Sequence, residues 1–443
     1  MMKLKIVAIN RTVFLFFVII FGYNSMAMMN KSWIIIIGVY HMGTDGEAQE
    51  YEKYSDEWVN YIKRNKCVYL YGAGDAAKRM SIFCQDKGII IDKVFVSNKA
   101  EDAMRVMGLD VECYKKVEII KNSVVLVSIA KPSYIDVIKM LSDDGVKCVH
   151  TPIDWYDLNR SISHDNYPVS MKEWFVQNRG EILNLESPVT FNEKICWLKL
   201  FDPQMNRKRI FVDKYEVKRI ISDMIGSDHV AKVYGVWDRF DDIDFGQLPE
   251  RFVLKCTHGN GYNFIVKDKS RINHSSLKEQ FDEWMRIDPE YRTLELQYKS
   301  DHHRIIAEEL LESNNGEEGI NDYKIFVFDG SAKLIQVDVD RFRNHRRNIY
   351  STDWKLLDVE IGYPKANDVH IAPPRALRDM IRMAELIGKG FCHARVDFYY
   401  VNETIYFGEV TFSHGGGVER ITPRSFDVEM GKWIRLPIED FSD

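Results

Sequence analysis

The period of the apolar positions changes along the chain, and the changes mark out its elements. Between residues 67 and 153, short apolar runs alternate with helix-length amphipathic stretches. Cys67-Val68-Tyr69-Leu70-Tyr71 reads as a strand, and after Gly72-Ala73-Gly74 a helical run extends to Lys87. Residues 89–96, 124–128 and 146–150 read as strands and 133–143 as a helix, an alternation that predicts a parallel sheet. Polar residues and turn formers between Asp154 and Val189 suggest a boundary region. An amphipathic helix then opens near Thr190, the expected N-cap, with Glu193 closing a capping box. After Phe252 strands come in hairpins with helices between them, an α+β texture.

Length and composition narrow the picture. The chain has 443 residues, too many for one core at ~100–200 residues per domain. A net charge of -6 offers no global basic field for nucleic acid. Seven scattered cysteines without a CxxC argue against a disulfide framework or a zinc knuckle and suit a reducing cytosol. Residues 1–30 are discordant. An apolar run at 13–21 follows Lys3, Lys5 and Arg11; it falls short of the ~20 residues a spanning helix needs and has the length of a signal-peptide core. Three readings stay open: a secretory signal, a membrane-associating segment, or a start placed too early, with Met26, Met28 or Met29 the true one. The expected location is the cytoplasm, with the inner face of the membrane left open.

Gly72-Ala73-Gly74-Asp75-Ala76-Ala77 lies between a strand and a helix, the context of a dinucleotide fingerprint. The carboxylate expected at the end of the second strand is missing, where Val96-Ser97-Asn98 stands. A Rossmann-like fold over residues 60–155 is therefore expected, with the glycines serving a tight turn. The segment also resembles the small Rossmann-like domains attached to many sugar and capsule biosynthesis enzymes, which implies that a ligand, if one binds there, is a nucleotide-sugar as readily as NAD.

The second half carries the chemistry. Phe252-Val253-Leu254-Lys255-Cys256 is a strand with a lysine near its end, and Thr257-His258-Gly259-Asn260-Gly261 joins it to the next strand. Strand–loop–strand context excludes a Walker A loop, but such a glycine flap can cover phosphates while Lys255 supplies charge. Strand residues 304–307 run into Glu308-Glu309, a hinge suited to an adenine edge and ribose. Asp322-Tyr323-Lys324 opens another strand, which turns at Asp329-Gly330. Arg341, Arg343, His345, Arg346 and Arg347 form a basic cluster suited to an anion. A three-residue loop at Asn402-Glu403-Thr404 would set Asp397 opposite Glu409. Two opposed carboxylates repel each other; Mg²⁺ between them would remove that cost, as would Arg395 or Lys324 without metal. Ser413-His414-Gly415-Gly416-Gly417 reads as a flexible loop able to close on an acceptor.

This order of motifs resembles the ATP-grasp superfamily. More narrowly, residues 186–440 resemble the TupA-like ATP-grasp family, named after a teichuronopeptide biosynthesis protein. The matching stretches are Thr190-Phe191-Asn192-Glu193-Lys194, Val212-Asp213-Lys214-Tyr215, Phe252-Val253-Leu254-Lys255-Cys256, Ile306-Ala307-Glu308-Glu309, Asp322-Tyr323-Lys324 and Arg395-Val396-Asp397. The fold class expected is thus α/β and α+β, a Rossmann-like parallel-sheet domain followed by an ATP-grasp domain. The resemblance implies that Lys214 and Lys255 contact phosphates and that Gly259 and Gly261 form the flap. Glu308, Glu309 and Leu311 would line the adenine pocket, with Asp322 near the ribose. Lys324, Arg347 and Arg395 would be catalytic, the first two on the transferring phosphoryl group. Asp397 and Glu409 would hold magnesium; Thr411 stands where many relatives have asparagine. It further implies ATP and Mg²⁺ as cofactors and amide formation between a carboxylate and an amine through an acyl phosphate, in surface polysaccharide biosynthesis. The alternative is a glycosyltransferase using Asp338-Val339-Asp340 to hold a metal and a nucleotide-sugar. Substrate identities and oligomeric state stay open.

Overall fold

The structure is a computed structural model. It describes residues 53–97, 105–114, 119–120, 122–129, 134–313, 322–340 and 344–438, and, nearer the N-terminus, strand pairs 18–19 with 35–36 and 41–42 with 48–49. Apart from 18–19, the apolar stretch 13–21 lies outside the described residues, as do Met26, Met28, Met29, Asn98 and residues 341–343. Among the described residues no helix is long and apolar enough to cross a membrane. The chain divides into two compact units, Met1–Asn166 and Tyr167–Asp443.

The first unit holds strands β1 (Val68–Tyr71), β2 (Lys93–Val96), β3 (Arg105–Val106), β4 (Leu109–Cys113), β5 (Val124–Val127) and β6 (Cys148–His150). Its helices are α1 (Asp56–Lys63), α2 (Asp75–Asp86), α3 (Tyr134–Asp143) and α4 (Trp155–Ser161). The sheet runs β6-β5-β1-β2-β4-β3, parallel throughout except between β4 and β3. The neighbouring strands β1 and β5 are buried along their whole length, which is why they read as unbroken apolar runs. The β3–β4 hairpin gave no such run, because β4 alternates charged and apolar residues and is half-exposed, and the edge strand β3 is two residues long. Gly72 has φ +121°, and a Cβ there would lie 2.7 Å from the Ser128 carbonyl oxygen. Only glycine lets β1 turn this close to the end of β5.

Residues 154–189 were expected to be a turn-rich boundary. They instead carry α4 and, opening the second unit, α5 (Tyr167–Arg179). α5 buries Tyr167, Met171, Trp174 and Phe175, which bring apolar spacing to a polar-looking stretch. The unit continues with α6 (Phe191–Phe201), α7 (Met205–Val212), α8 (Glu216–Ile225), β7 (Val233–Trp237), β8 (Phe252–Cys256), β9 (Asn263–Val266), α9 (His274–Trp284), α10 (Glu290–Thr293) and β10 (Ile305–Glu309). After these come β11 (Asp322–Phe328), β12 (Ser331–Val339), β13 (Arg346–Ser351), β14 (Glu360–Ile361), α11 (Leu377–Gly388), β15 (His393–Val401), β16 (Thr404–Thr411), β17 (Ile421–Thr422) and α12 (Arg424–Lys432). The capping box at α6 is present as read, with the Thr190 hydroxyl accepting from Glu193 N–H and the Glu193 carboxylate accepting from Thr190 N–H.

Two antiparallel sheets organise this unit, β7-β10-β8-β9 and β13-β12-β11-β15-β16. On β11 the odd positions Tyr323, Ile325 and Val327 pack into a core with α8 and α11. The even positions change along the strand: Phe326 and Phe328 pack on α6 and α12, while Asp322 and Lys324 continue the same face as charge. One sheet face therefore passes from core to site.

Candidate active site

Strand register assembles the charged face. Asp397 pairs with Glu409 on one side and with Lys324 on the other, and Lys324 pairs with Gln336. Four strands thus place Glu409, Asp397, Lys324 and Gln336 in one transverse row. The Asp397–Glu409 pairing was expected from a three-residue loop, but the turn is different. Val401 pairs with Thr404, so only Asn402 and Glu403 form the turn, both with positive φ. A bulge at Gly408 adds back the missing residue between Phe407 and Glu409. Without that bulge Glu409 would pair with Val396 and point into the core.

Arg395, two residues before Asp397 and on the same face, grips it in a fork. Its Nε and Nη2 donate to the two Asp397 oxygens at 2.7 Å each, and Nη2 also donates to Glu409 at 3.3 Å and Thr411 Oγ1 at 3.0 Å. Burial pushes the Asp397 carboxyl up to about 7, against the pull of Arg395 and with a further push from Asp322. Lys324 is ion-paired with Asp322 and lies 3.2 Å from Asp338. Arg347 donates to Asp338 at 2.7 Å, to the Ile361 carbonyl at 2.8 Å and to Glu419 at 3.1 Å. Arg346 faces Asp340 and Asp368 instead. Among the described residues of the basic cluster, alternation along β13 thus sends Arg346 and Arg347 to different carboxylates.

The other sheet supplies the glycine hairpin and two more cations. Lys255 on β8 lies diagonally across from Glu308 on β10 and is ion-paired with it, while Lys218 of α8 reaches the other Glu308 oxygen at 2.9 Å. Burial alone would raise Glu308, but the two ammoniums outweigh it and hold it at about 2. Glu309 is tied to the sheet edge, its N–H donating to the Lys232 carbonyl at 2.9 Å. Leu311 follows β10, half-buried. Lys214, between α7 and α8, donates from its side chain to the Gly259 carbonyl, and its backbone N–H donates to Thr257 at 3.0 Å. Gly259 and Gly261 have φ of +66° and +80°. Burial lowers the Lys214 pKa, helped by Lys255 and opposed by Glu409. A small cavity lined by Lys214, Asn260, Tyr298 and Glu409 lies between the hairpin and the charged face.

The structure therefore gathers Lys324, Arg347, Arg395, Asp322, Asp397 and Glu409 on one sheet. It sets Lys255, Glu308, Glu309 and the hairpin glycines on the other, with Lys214 facing both. It also adds groups the sequence reading did not assign: Lys218, Asn260, Tyr298, His414 and Glu419. His414 accepts from Arg395 at 2.8 Å and lies 2.8 Å from Glu419. It belongs to the stretch 413–417 that was expected to be a flexible loop. That stretch is pinned: Lys199 donates to Gly416 O at 2.9 Å, and a Cβ on Gly417 would lie 2.9 Å from Cys196 Sγ. Glycines served close packing on α6 there rather than mobility.

Whether these residues suit a divalent cation can be judged from charge. Three cations, Lys324, Arg347 and Arg395, share five carboxylates, Asp322, Asp338, Asp397, Glu409 and Glu419. Lys214 adds a fourth cation beside Glu409, and Asp397 is held close to neutral, so the count leaves no fixed excess of two; what suits a hard divalent cation is the pair of carboxylates themselves, Asp397 opposite Glu409. No group of three or more metal-binding side chains occurs among the described residues. A metal at Asp397 and Glu409 would thus complete its shell with phosphate and water oxygens, the usual habit of Mg²⁺.

Comparison with known proteins places this geometry. No curated protein matches the chain. Among solved structures, D-alanine–D-alanine ligase from Bacillus anthracis matches at 13% identity and a TM-score of 0.30, over 83% of this chain and 93% of that one. The ATP-grasp ligase PsnB with its minimal precursor matches at 12% and 0.29, over 79% and 91%. A RimK-domain ATP-grasp protein from Sphaerobacter thermophilus matches at 10% and 0.28, over 83% and 98%. The Bacillus enzyme has been solved with ATP and PsnB with Mg and ADP. At these TM-scores the likenesses carry no argument about this chain's residues. The TupA-like ATP-grasp family, by contrast, matches residues 193–435, more than half of the chain and all of the site just described, and the chain belongs to that family.

Proposed function

We propose that the chain is an ATP- and Mg²⁺-dependent carboxylate–amine ligase. A substrate carboxylate attacks the γ-phosphate to give an acyl phosphate and ADP; an amine then displaces phosphate to give the amide. The observation that carries the reading is the convergence of two carboxylates, Asp397 and Glu409, with Lys324, Arg347 and Arg395 opposite a glycine hairpin flanked by Lys214 and Lys255. Phosphoryl transfer asks a protein mainly for positioning and for positive charge where negative charge develops. Lys214, Lys255 and the hairpin N–H groups bind the phosphate chain. Glu308, Glu309 and Leu311 line the adenine pocket and Asp322 lies near the ribose. Lys324 and Arg347, aided by Arg395, stabilise the moving phosphoryl group. Asp397 and Glu409 would hold Mg²⁺, which would supply positive charge against the phosphates; Thr411 supports Arg395.

The carboxylate in this reading is a uronic-acid sugar or an amino acid in surface polysaccharide synthesis, acted on in the cytoplasm where ATP is supplied. That part rests on the family alone. The nucleotide-sugar alternative draws no support from Asp338-Val339-Asp340, since Asp338 is buried between Arg347 and Lys324 and Asp340 pairs with Arg346.

The test is ADP release from ATP and Mg²⁺ across a panel of amino acids and uronic-acid sugars, wild type against Glu409→Gln. Release that depends on substrate and falls by ~10²-fold or more in the variant is expected. Release of UDP or GDP from a nucleotide-sugar, with no ADP under any pairing, would sink the ligase.

A further inference from the structure

Asp338 is buried on the charged face, its side chain 5% exposed, and accepts from groups on three strands and a loop. Register sets it opposite Arg347 on β13 and two positions along from Gln336, the partner of Lys324. Its Oδ1 takes Arg347 Nε at 2.7 Å and His345 Nε2 at 3.1 Å; its Oδ2 lies 3.2 Å from Lys324 Nζ. Gln336 Nε2 donates to both oxygens at 3.2 Å. Burial alone would raise its pKa, but Arg347 and Lys324 outweigh that and hold it well below the usual carboxylate range.

From this geometry we propose that Asp338 is the positioning residue for the γ-phosphate end of the site, aiming Lys324 and Arg347 at one point. The inference rests on the ligase reading. Lys324 and Arg347 come from non-adjacent strands and repel each other. One carboxylate between them removes the repulsion, and its two oxygens fix the direction from which each cation leaves it. Lys324 has a second anchor in Asp322, and Arg347 has others in the Ile361 carbonyl and Glu419. Asp338 is the group the two share. Alternation would set Asp338 and Asp340 on one face, but the strand ends at Val339 and Asp340, at φ +52°, leaves it, so only the first acid faces inward.

Nucleotide binding tests this without knowledge of the acceptor. Calorimetry on the full chain compares Mg·ADP with Mg·AMP-PNP, which differ at the γ-phosphate. Asp338→Asn keeps the shape but sets an NH₂ group against a cation. It should weaken AMP-PNP about ten-fold or more while leaving ADP within about two-fold. Lys324→Met should show the same selectivity, and adding Asp338→Asn to it should cost less than about three-fold further, since both act through one contact. Asp338→Glu, which keeps the charge and moves it by one methylene, serves if the asparagine variant does not melt cooperatively, and its loss should again be confined to AMP-PNP. Equal weakening of both nucleotides, no weakening, or additive losses in the double variant would overturn the proposal. Wild-type protein that binds neither nucleotide would instead overturn the ligase reading and this inference with it.

Discussion

Glu308 shows how a residue can be placed from sequence while its partners stay hidden. Its place at the end of an apolar strand was legible. Its partners were not, because Lys255 reaches it from a neighbouring strand and Lys218 from a helix. Those partners have a consequence for stability. The unfolded carboxyl titrates near 4.5 and the folded one at about 2. A lowered folded pKa means that the contribution is fully present above about 4.5 and is lost as pH falls towards 2. Glu308→Gln should therefore flatten the acid limb of the stability curve in that window by up to about 1.4 kcal/mol per pH unit. Urea midpoints for both proteins across the window measure this, and parallel curves would show that Glu308 is not held ionised by its lysines.

Among elements, the glycine hairpin and the β15–β16 hairpin make opposite points. The first was visible as strand–glycine loop–strand, and its two glycines have separable demands. Both occupy the left-handed region, which costs other residues about 1–2 kcal/mol. A Cβ on Gly259 would also lie 2.7 Å from the Tyr262 ring and 3.2 Å from Pro289, whereas Gly261 faces open space. Gly259→Ala should thus lose about 1 kcal/mol or more beyond Gly261→Ala in urea unfolding; equal losses would mean that the packing against Tyr262 and Pro289 does not constrain the flap. The second hairpin gave the right pairing from the wrong turn. A strand pattern suggests which residues share a face, but Asp397 and Glu409 meet only because the bulge shifts the register by one. The pattern does not reveal where an extra residue is absorbed, and Gly408 absorbs it against Asp397, whose carbonyl would stand 3.0 Å from a Cβ there.

For the whole molecule, every residue in the proposed nucleotide and metal sites lies in the unit Tyr167–Asp443. That unit carries its own cores on both faces of the five-stranded sheet. A fragment of residues 167–443 should accordingly bind Mg·AMP-PNP within about three-fold of the full chain, because its contacts to nucleotide are local to it. Calorimetry on the two proteins checks this. A fragment that melts cooperatively yet fails to bind would assign the first unit a direct part in the nucleotide site. In the parallel sheet of the first unit, the close approach to Ser128 accounts for Gly72, whereas a Cβ on Gly74 would meet nothing.

What the sequence determined by itself is periodic or local. Apolar runs named β1, β2, β5 and β6, alternation named β11, Thr190 and Glu193 named the start of α6, Asp329-Gly330 named a turn, and the order of charged strands pointed to the family. Each depends on residues a few positions apart, whose geometry the backbone sets. Tertiary structure decided which charges meet. Asp338 looked like half of a metal motif and is the meeting point of Lys324 and Arg347. His414 looked mobile and is buried against Arg395. Residues 154–189 looked like a turn-rich boundary and hold two α-helices. Coulomb attraction and close packing act between groups far apart in the chain, so their outcome was fixed only when the strands were brought into register.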